Sequence, residues 1–479
     1  MIILIIIITV LTIILIILLN KNKHFLIKKI GLISSFISLW LSIILWILNE
    51  SKYLIQFTFN SQWMVESLHV NWGPINFGVD EISLPFIILT NLLIPICILI
   101  SWNSINFLVK EFIIAILSIQ LLLIIVFTSL NILIFYIAFE SILIPMFLII
   151  GVWGSRKEKE RAAYYFFFYT LVGSLFMLLG IFILYNLHGS LDYQTLFMKK
   201  TPESIQIWVF LGFFLSLAVK IPKIPFHIWL PQAHVEAPVA GSVLLAGVLL
   251  KLGGYGFLRF SWTLFPYASQ FFLPIIITLS AIGIIYASLT TCRQTDAKKL
   301  VAYSSVAHMG LVVIAIFSKT YEGLIASIIL MIAHGFVSSG LFIVVTNLYD
   351  RFHTRTIKYY KGIVYTMPIF TTAFFLLILG NIAFPIFINF IGEFMSTLSI
   401  AQLTWIGIIP PLSGMFLAGV YSLLLFNKIS FGQPSHFTLF SRDLTRREFQ
   451  TPLLLIIFTI ILGIKPLLIN ANFTYPFIQ

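Results

Sequence analysis

Cysteine is nearly absent. Cys97 and Cys292 are the two in the chain, each in or at the edge of an apolar run. That count excludes a disulfide framework and a four-cysteine iron–sulfur cluster held by this chain alone. Charge is almost as scarce: 10% of the residues are Asp, Glu, Lys or Arg, against 60% hydrophobic. With a mean hydropathy of +1.05, a chain of 479 residues cannot hide its apolar side chains in one soluble core, so it reads as an integral membrane protein. No GxGxxG after a strand, no Walker motif and no Ser/His/Asp set in a polar loop is found, which leaves nucleotide binding and hydrolysis without support. Gly/Ser linkers, low-complexity tracts and long charge runs are missing too, and residues 1–479 read as a single transmembrane domain.

The basic excess, a net charge of +12, would suit a nucleic-acid binder if it formed one patch. It is instead spread over short loops between apolar runs, which is the pattern of membrane topology. Apolar windows of about 20 residues fall near 2–19, 30–48, 84–101, 112–129, 131–150, 162–185, 205–229, 239–260, 268–291, 300–317, 322–346, 366–397, 402–426 and 452–469. These predict an all-α polytopic protein of about fourteen transmembrane helices. The first window, "MIILIIIITVLTIILIILL", has no basic leader and no small-residue cleavage site, so it is expected to be a retained span. Counting loops alternately puts most of the basic residues on one side, among them Lys28, Lys110, Arg161, Lys299, Arg355 and Arg446, and leaves Lys52, Lys199, Lys200, Arg259, Lys319 and Lys465 on the other. The positive-inside rule then places both termini on the non-cytoplasmic or intermembrane side. Residues 49–83 and 427–451 are expected to be the longest loops.

Three lysines, Lys220, Lys223 and Lys251, remain at membrane depth. In "AVKIPKIPFHIWLPQAHVEAP", Pro222 and Pro225 remove backbone donors from the seventh window, and the freed carbonyls can hold water or an ammonium. Pro385 interrupts the twelfth window in the same way. The two broken helices stand five helices apart, so two five-helix repeats, 112–260 and 268–426, would lie in opposite orientations across the membrane. Inverted repeats with broken helices are a transporter signature.

Glu140, Lys220, Lys251 and Glu393 are each embedded in apolar sequence, at a cost of about 2.5 to 3.5 kcal/mol for each centrally placed charge. Glu140 and Lys220 could form a structural ion pair joining two helices. Four such groups favour a proton path, because a carboxylate near a desolvated lysine changes the lysine's proton affinity as it approaches or withdraws. His308 and His334 lie in later windows, where a neutral imidazole can relay protons or simply hydrogen-bond across helices. Two histidines on separate spans could also ligate haem, and His227 and His234 flank Pro231 in a weakly supported metal arrangement.

The stretches "KIPKIPFHIWLPQAHVEAPVAGSVLLAGVLLKLGGYGFLRF", "QTDAKKLVAYSSVAHMGLV", "MIAHGFVSSGLF" and "NFIGEF" resemble the antiporter-like membrane subunits of respiratory complex I, NADH:ubiquinone oxidoreductase, and the likeness runs over most of residues 78–430. The resemblance implies that Glu140 and Lys220 are a coupled pair on the fifth and seventh helices. It also makes Lys251 the central proton carrier on the eighth, His308 and His334 relay positions, and Glu393 the exit residue on the twelfth. One subunit of the family carries glutamate at the exit where its sisters carry lysine, and Glu393 matches that one. Fourteen helices with inverted bundles, helices four to eight and nine to thirteen, are likewise implied. Glu81 departs from the family, which commonly has glycine there. NAD, FMN, iron–sulfur clusters and ubiquinone are expected in partner subunits, with no cofactor and no metal in this chain. The expected partners are other membrane-arm subunits, antiporter-like neighbours among them, and membrane lipids, with no nucleic acid. The same family includes subunits of multi-subunit sodium/proton antiporters, the first alternative; a purely structural membrane scaffold is the second. Heavy use of Ile, Phe, Leu and Asn and the lack of a visible presequence suit a mitochondrial inner-membrane protein made inside the organelle, a bacterial plasma membrane being the alternative.

Overall fold

A computed structural model of the chain describes residues 1–49, 55–61, 74–435, 438 and 441–470. Lys52 and the middle of the expected 49–83 loop lie outside the described residues, as do parts of the 427–451 loop. The fold is overwhelmingly helical. Among the described residues, twelve helices are long and apolar enough to cross a membrane, from His24–Ile47 to Arg446–Ile464, and Ile2–Leu18 and Pro368–Asn381 are shorter apolar helices. The described flanks of the 49–83 loop form a small antiparallel hairpin, Gln56–Ser61 paired with Ile75–Val79, with Ser61 opposite Ile75.

Four helix starts are closed by side chains, which satisfy backbone amides that lipid cannot. Asn131 accepts from the Leu133 amide, Asp296 from the amides of Lys298 and Lys299, and Thr320 from that of Gly323. Thr445 and Glu448 form a reciprocal capping box. Proline sets other boundaries. Pro145 has no amide to give the Ser141 carbonyl, and the helical run 132–153 turns at Ile142 between Ile132–Ser141 and Leu143–Trp153. The Glu203–Lys220 helix stops one residue short of Ile221, whose place before Pro222 disfavours helix; turn residues follow as far as the Trp229–Glu236 helix. The 366–397 window contains Pro368–Asn381 and the start of Ile388–Leu403. In the turn between them Ala383 and Ile386 hold positive φ values of 61° and 112°, conformations that cost of the order of 1–3 kcal/mol in a non-glycine residue.

The chain forms two compact units, Met1–Lys220 with Tyr255–Phe272, and Ile221–Gly254 with Leu273–Ala471. In the first, the Glu203–Lys220 and Lys159–His188 helices pack closely. Gly212 makes the approach possible, since a Cβ there would stand 2.5 Å from the Phe176 carbonyl oxygen. Lys28 donates to the carbonyls of Trp102 and Ile105, Lys110 to those of Ile17 and Leu19, and the Trp153 indole to that of Phe107. These contacts gather several helix ends on one face of the unit. Arg259, counted above with the loop cations, is instead buried in a short π-helical segment, Phe257–Ser261, paired with Asp80 and lying 4.3 Å from the centre of the Tyr193 ring.

The second unit is organised around the 32-residue Tyr321–Phe352 helix, buried along almost its whole length. The Ala297–Phe317, Pro368–Asn381, Ile388–Leu403 and Arg446–Ile464 helices pack on it. Gly392 lets Ile388–Leu403 sit against the Leu330 backbone, where a Cβ would come within 3.1 Å of the Leu330 Cα. That approach carries the neighbouring Glu393 into the unit, where it is fully buried.

Candidate functional site

In the first unit, Glu140 lies at the end of the Ile132–Ser141 helix, half-buried, with Oε1 lacking a hydrogen-bond partner among the described residues. Its polar neighbours are Lys220 and Ser174, the latter on the Lys159–His188 helix and also in contact with Tyr136. Lys220 ends its helix, where the carbonyl dipoles favour a cation. It is 3% exposed, and Nζ stands 4.4 Å from the centroid of Phe139, the residue before Glu140. Among the described residues the ion pairs of 4 Å or less do not include Glu140 with Lys220. The ammonium therefore rests on an aromatic face, an interaction of about 2 kcal/mol when desolvated, with the carboxylate close by but apart.

In the second unit, four expected residues form a series. Lys251 is fully buried and donates to the Ala246 carbonyl, and its Nζ is 3.0 Å from His334 Nδ1. It follows a π-helical segment, Leu245–Leu249, whose widened turn changes the carbonyl spacing. His334 and His308 face each other with ring centroids 5.7 Å apart at 48°. His308 Nδ1 then stands 3.0 Å from Glu393 Oε1, a close approach that is not aligned as a hydrogen bond. The other ring nitrogen, Nε2, is 3.4 Å from the Tyr421 hydroxyl. The order is Lys251, His334, His308, Glu393, all nearly or fully buried.

The structure thus brings Glu140 together with Lys220 in one unit, and Lys251 with His308, His334 and Glu393 in the other. Phe139, Ser174, Tyr136 and Tyr421 join them without having been expected. Hydroxyls and aromatic rings are ordinary in apolar helices, so their types carried no signal, and helical spacing from Glu140 was the one available clue to Tyr136. His234 and His227 do not meet in a metal arrangement. His234 stacks on Phe342 at 4.5 Å with neither ring nitrogen partnered among the described residues, while His227 lies edge-on to Tyr286 and Tyr303. Among the described residues no group of three or more His, Cys, Asp or Glu is placed to hold a metal ion. Lys298, which falls in the loop between the 268–291 and 300–317 windows, is buried and donates to the Ala237 carbonyl at 3.3 Å, and the buried Arg355 pairs with Glu236 at 3.1 Å.

Carboxylates, lysines and histidines thus stand buried in close series within helical units. The family described as NADH:quinone oxidoreductase/Mrp antiporter, transmembrane, matches residues 129–418. NADH-ubiquinone oxidoreductase chain 4 of Metridium senile is 56% identical over 446 residues, covering 92% of this chain and 90% of that one. Chain 4 of Chondrus crispus is 50% identical, covering 90% and 88%. In a solved structure of respiratory complex I from Thermus thermophilus with bound NADH, one chain superposes with a TM-score of 0.88 at 27% identity, covering 98% of this chain and 99% of that one. The chain belongs to the NADH-ubiquinone oxidoreductase chain 4 family, within the antiporter-like membrane subunits of complex I.

Proposed function

We propose that the chain is a multi-pass subunit of the membrane arm of NADH:ubiquinone oxidoreductase in the mitochondrial inner membrane, and that it translocates protons there. Electron transfer from NADH to ubiquinone takes place in other subunits, which hold the NAD, FMN, iron–sulfur clusters and ubiquinone, and this chain couples to it through charge. Its partners are the other membrane-arm subunits and membrane lipids. Fourteen helices, with the seventh and twelfth broken and two inverted five-helix repeats over 112–260 and 268–426, are the architecture this reading calls for.

The observation that carries the reading is the buried series Lys251, His334, His308 and Glu393. A proton on Lys251 has an imidazole nitrogen within hydrogen-bond reach, and the series ends on a carboxylate able to receive it. Neutral histidines suit the middle, since a ring accepts at one nitrogen while donating from the other; both His308 nitrogens face Glu393 and Tyr421, so passage from His334 needs a turn of the His308 ring. The Glu140–Lys220 pair supplies the control. When the two are apart the ammonium rests on Phe139; when they close to about 4 Å at an effective dielectric of about 20, they attract by roughly 4 kcal/mol. Lifting one charge against a potential of about 150 mV needs roughly 3.5 kcal/mol, so closing or opening one such pair is of the right size to drive one transfer.

The test is ubiquinone-linked NADH oxidation in native membranes carrying Glu140→Gln, normalised to the amount of fully assembled complex. Collapse of turnover with assembly intact is the expected result, and unchanged turnover in assembled complex removes the pair's role. The family description also covers Mrp antiporters, which gives a second reading, a sodium/proton antiporter subunit. It requires transport in isolated membranes to depend on sodium, whereas the first requires dependence on NADH and ubiquinone.

A further inference from the structure

Of the three lysines at membrane depth, Lys223 is the one that the pair and the series leave unused. It lies between Pro222 and Pro225, is 5% exposed, and donates from Nζ to the Ser280 hydroxyl at 2.8 Å. Ser280 sits within the Leu273–Arg293 helix, itself buried, and gives its own proton to the Ile276 carbonyl at 2.6 Å. An ionisable side chain inside a membrane protein marks function by default, and its nature is read from its partner.

Among the contacts of Lys223, a serine hydroxyl is an unusual choice if the lysine has only to be held as a permanent cation. A carboxylate would bind the ammonium more strongly and would lock it in that form. The hydroxyl serves both forms instead, because it has one rotatable proton and two lone pairs. Facing an ammonium, Ser280 accepts from Nζ and donates to the Ile276 carbonyl, which is the arrangement observed. Facing a neutral amine, the same hydroxyl turns its proton toward Nζ and donates there. Neither state leaves the lysine nitrogen without a partner. The proline-flanked turn adds to this, since it lowers the number of backbone donors competing for nearby carbonyls.

We propose that Lys223 is a second protonatable lysine of this unit, alternating between ammonium and amine against Ser280 during turnover. One N–H bond breaks as the ammonium gives its proton to a neighbouring water or imidazole, and the same bond re-forms on the return, so nothing is consumed. His227 lies in the same turn, with the Tyr286 and Tyr303 rings against it, and is the nearest imidazole in sequence. The inference rests on the proton-translocating reading of the chain and deepens it.

The experiment compares Lys223→Arg, Lys223→Gln and Ser280→Ala in native membranes, measuring NADH:ubiquinone turnover and protons moved per NADH, both per assembled complex, with Glu140→Gln alongside. Arginine keeps the cation and cannot release it, and glutamine keeps neither state. Both Lys223 variants are expected to lose at least about fivefold in coupled turnover, with Ser280→Ala losing less. Wild-type turnover and proton yield in assembled Lys223→Arg would mean that the lysine never needs to give up its proton, and in Lys223→Gln that its charge is not needed; either overturns the proposal. If Lys223→Arg does not assemble, Lys223→Gln decides alone. Failure of both to assemble makes Lys223 a structural tether and also overturns it. If Glu140→Gln has no effect, the pair's role in the proposed function is removed, whereas a collapse there with normal Lys223 variants sinks this inference alone.

Discussion

The two units solve the problem of buried charge in different ways. In the first, Lys220 and Glu140 are neighbours without touching, Phe139 holds the ammonium, and one carboxylate oxygen is left without a partner among the described residues. In the second, Lys251, His334, His308 and Glu393 follow one another at contact or near-contact distances. A separated pair stores its interaction until something closes it, while a series of near neighbours needs little more than ring rotation to pass a proton. The first arrangement suits a switch and the second a conduit, and the substitutions with the most to say are those that turn one into the other or leave either incomplete.

The largest effect belongs to the head of the series. Lys251→Met keeps the bulk and removes both the proton and the donor that faces His334 and the Ala246 carbonyl. Coupled turnover per assembled complex is expected to fall by more than about tenfold, corresponding to at least about 1.4 kcal/mol on the barrier. Quinone-linked NADH oxidation with blue-native quantification of the complex measures it, and a modest change would mean that protons bypass Lys251.

Arg259→Met should act on the fold instead. It leaves Asp80 without its buried partner, and losing one side of a buried pair costs about 3–5 kcal/mol. Asp80 is 11% exposed, so some of that cost is relieved by solvent. The expected outcome is a lower amount of assembled complex with unaltered turnover per complex, which would separate the ionic contact that builds the first unit from the pair proposed to act in it. A drop in turnover at constant assembly would place Arg259 in the machinery and weaken the contrast between the units.

The middle of the series should be less demanding than its head. His308→Gln keeps a polar side chain near Glu393 and Tyr421 but cannot accept and pass on a proton. Turnover is expected to fall about three- to tenfold, an intermediate loss of roughly 1 kcal/mol on the barrier. The proton yield per NADH should fall with it. Equal losses in His308→Gln and Lys251→Met would show that the series acts as one indivisible unit.

Glu140, Lys220, Lys251, His308, His334 and Glu393 stood out in the sequence for a physical reason: a charge or imidazole in an apolar run is costly and therefore conspicuous. The helical character of the chain was equally plain, because lipid leaves few ways to satisfy a backbone. Much of what surrounds these residues was hidden. Ser174, Tyr136, Phe139 and Tyr421 belong to types that fill any membrane helix, so their relation to the charges exists only after packing. Arg259 and Lys298 fell at the ends of apolar windows and passed for loop cations, although both are buried. The hairpin strand "QFTFNS" alternates polar and apolar residues but is only six residues long, and its partner is 14 residues further on.

The smallest expected effect tests the switch itself. Phe139→Leu removes the aromatic face beneath Lys220 while keeping an apolar side chain of smaller volume, so the ammonium loses an interaction of about 2 kcal/mol. With that support gone, the balance moves toward the closed Glu140–Lys220 arrangement, since the carboxylate is the remaining favourable partner close by. A pair that closes too readily releases too slowly, and turnover is expected to drop about two- to threefold with assembly nearly unchanged, part of the loss in the face interaction being offset by the new ion pair. Glu140→Gln in the same background supplies the control: with the carboxylate gone there is nothing to close onto, so Phe139→Leu should add little further loss. If the two substitutions instead multiply, Phe139 acts through packing of the Ile132–Ser141 helix rather than through the lysine, and the first unit would hold its charges by fit and not by choice between two partners.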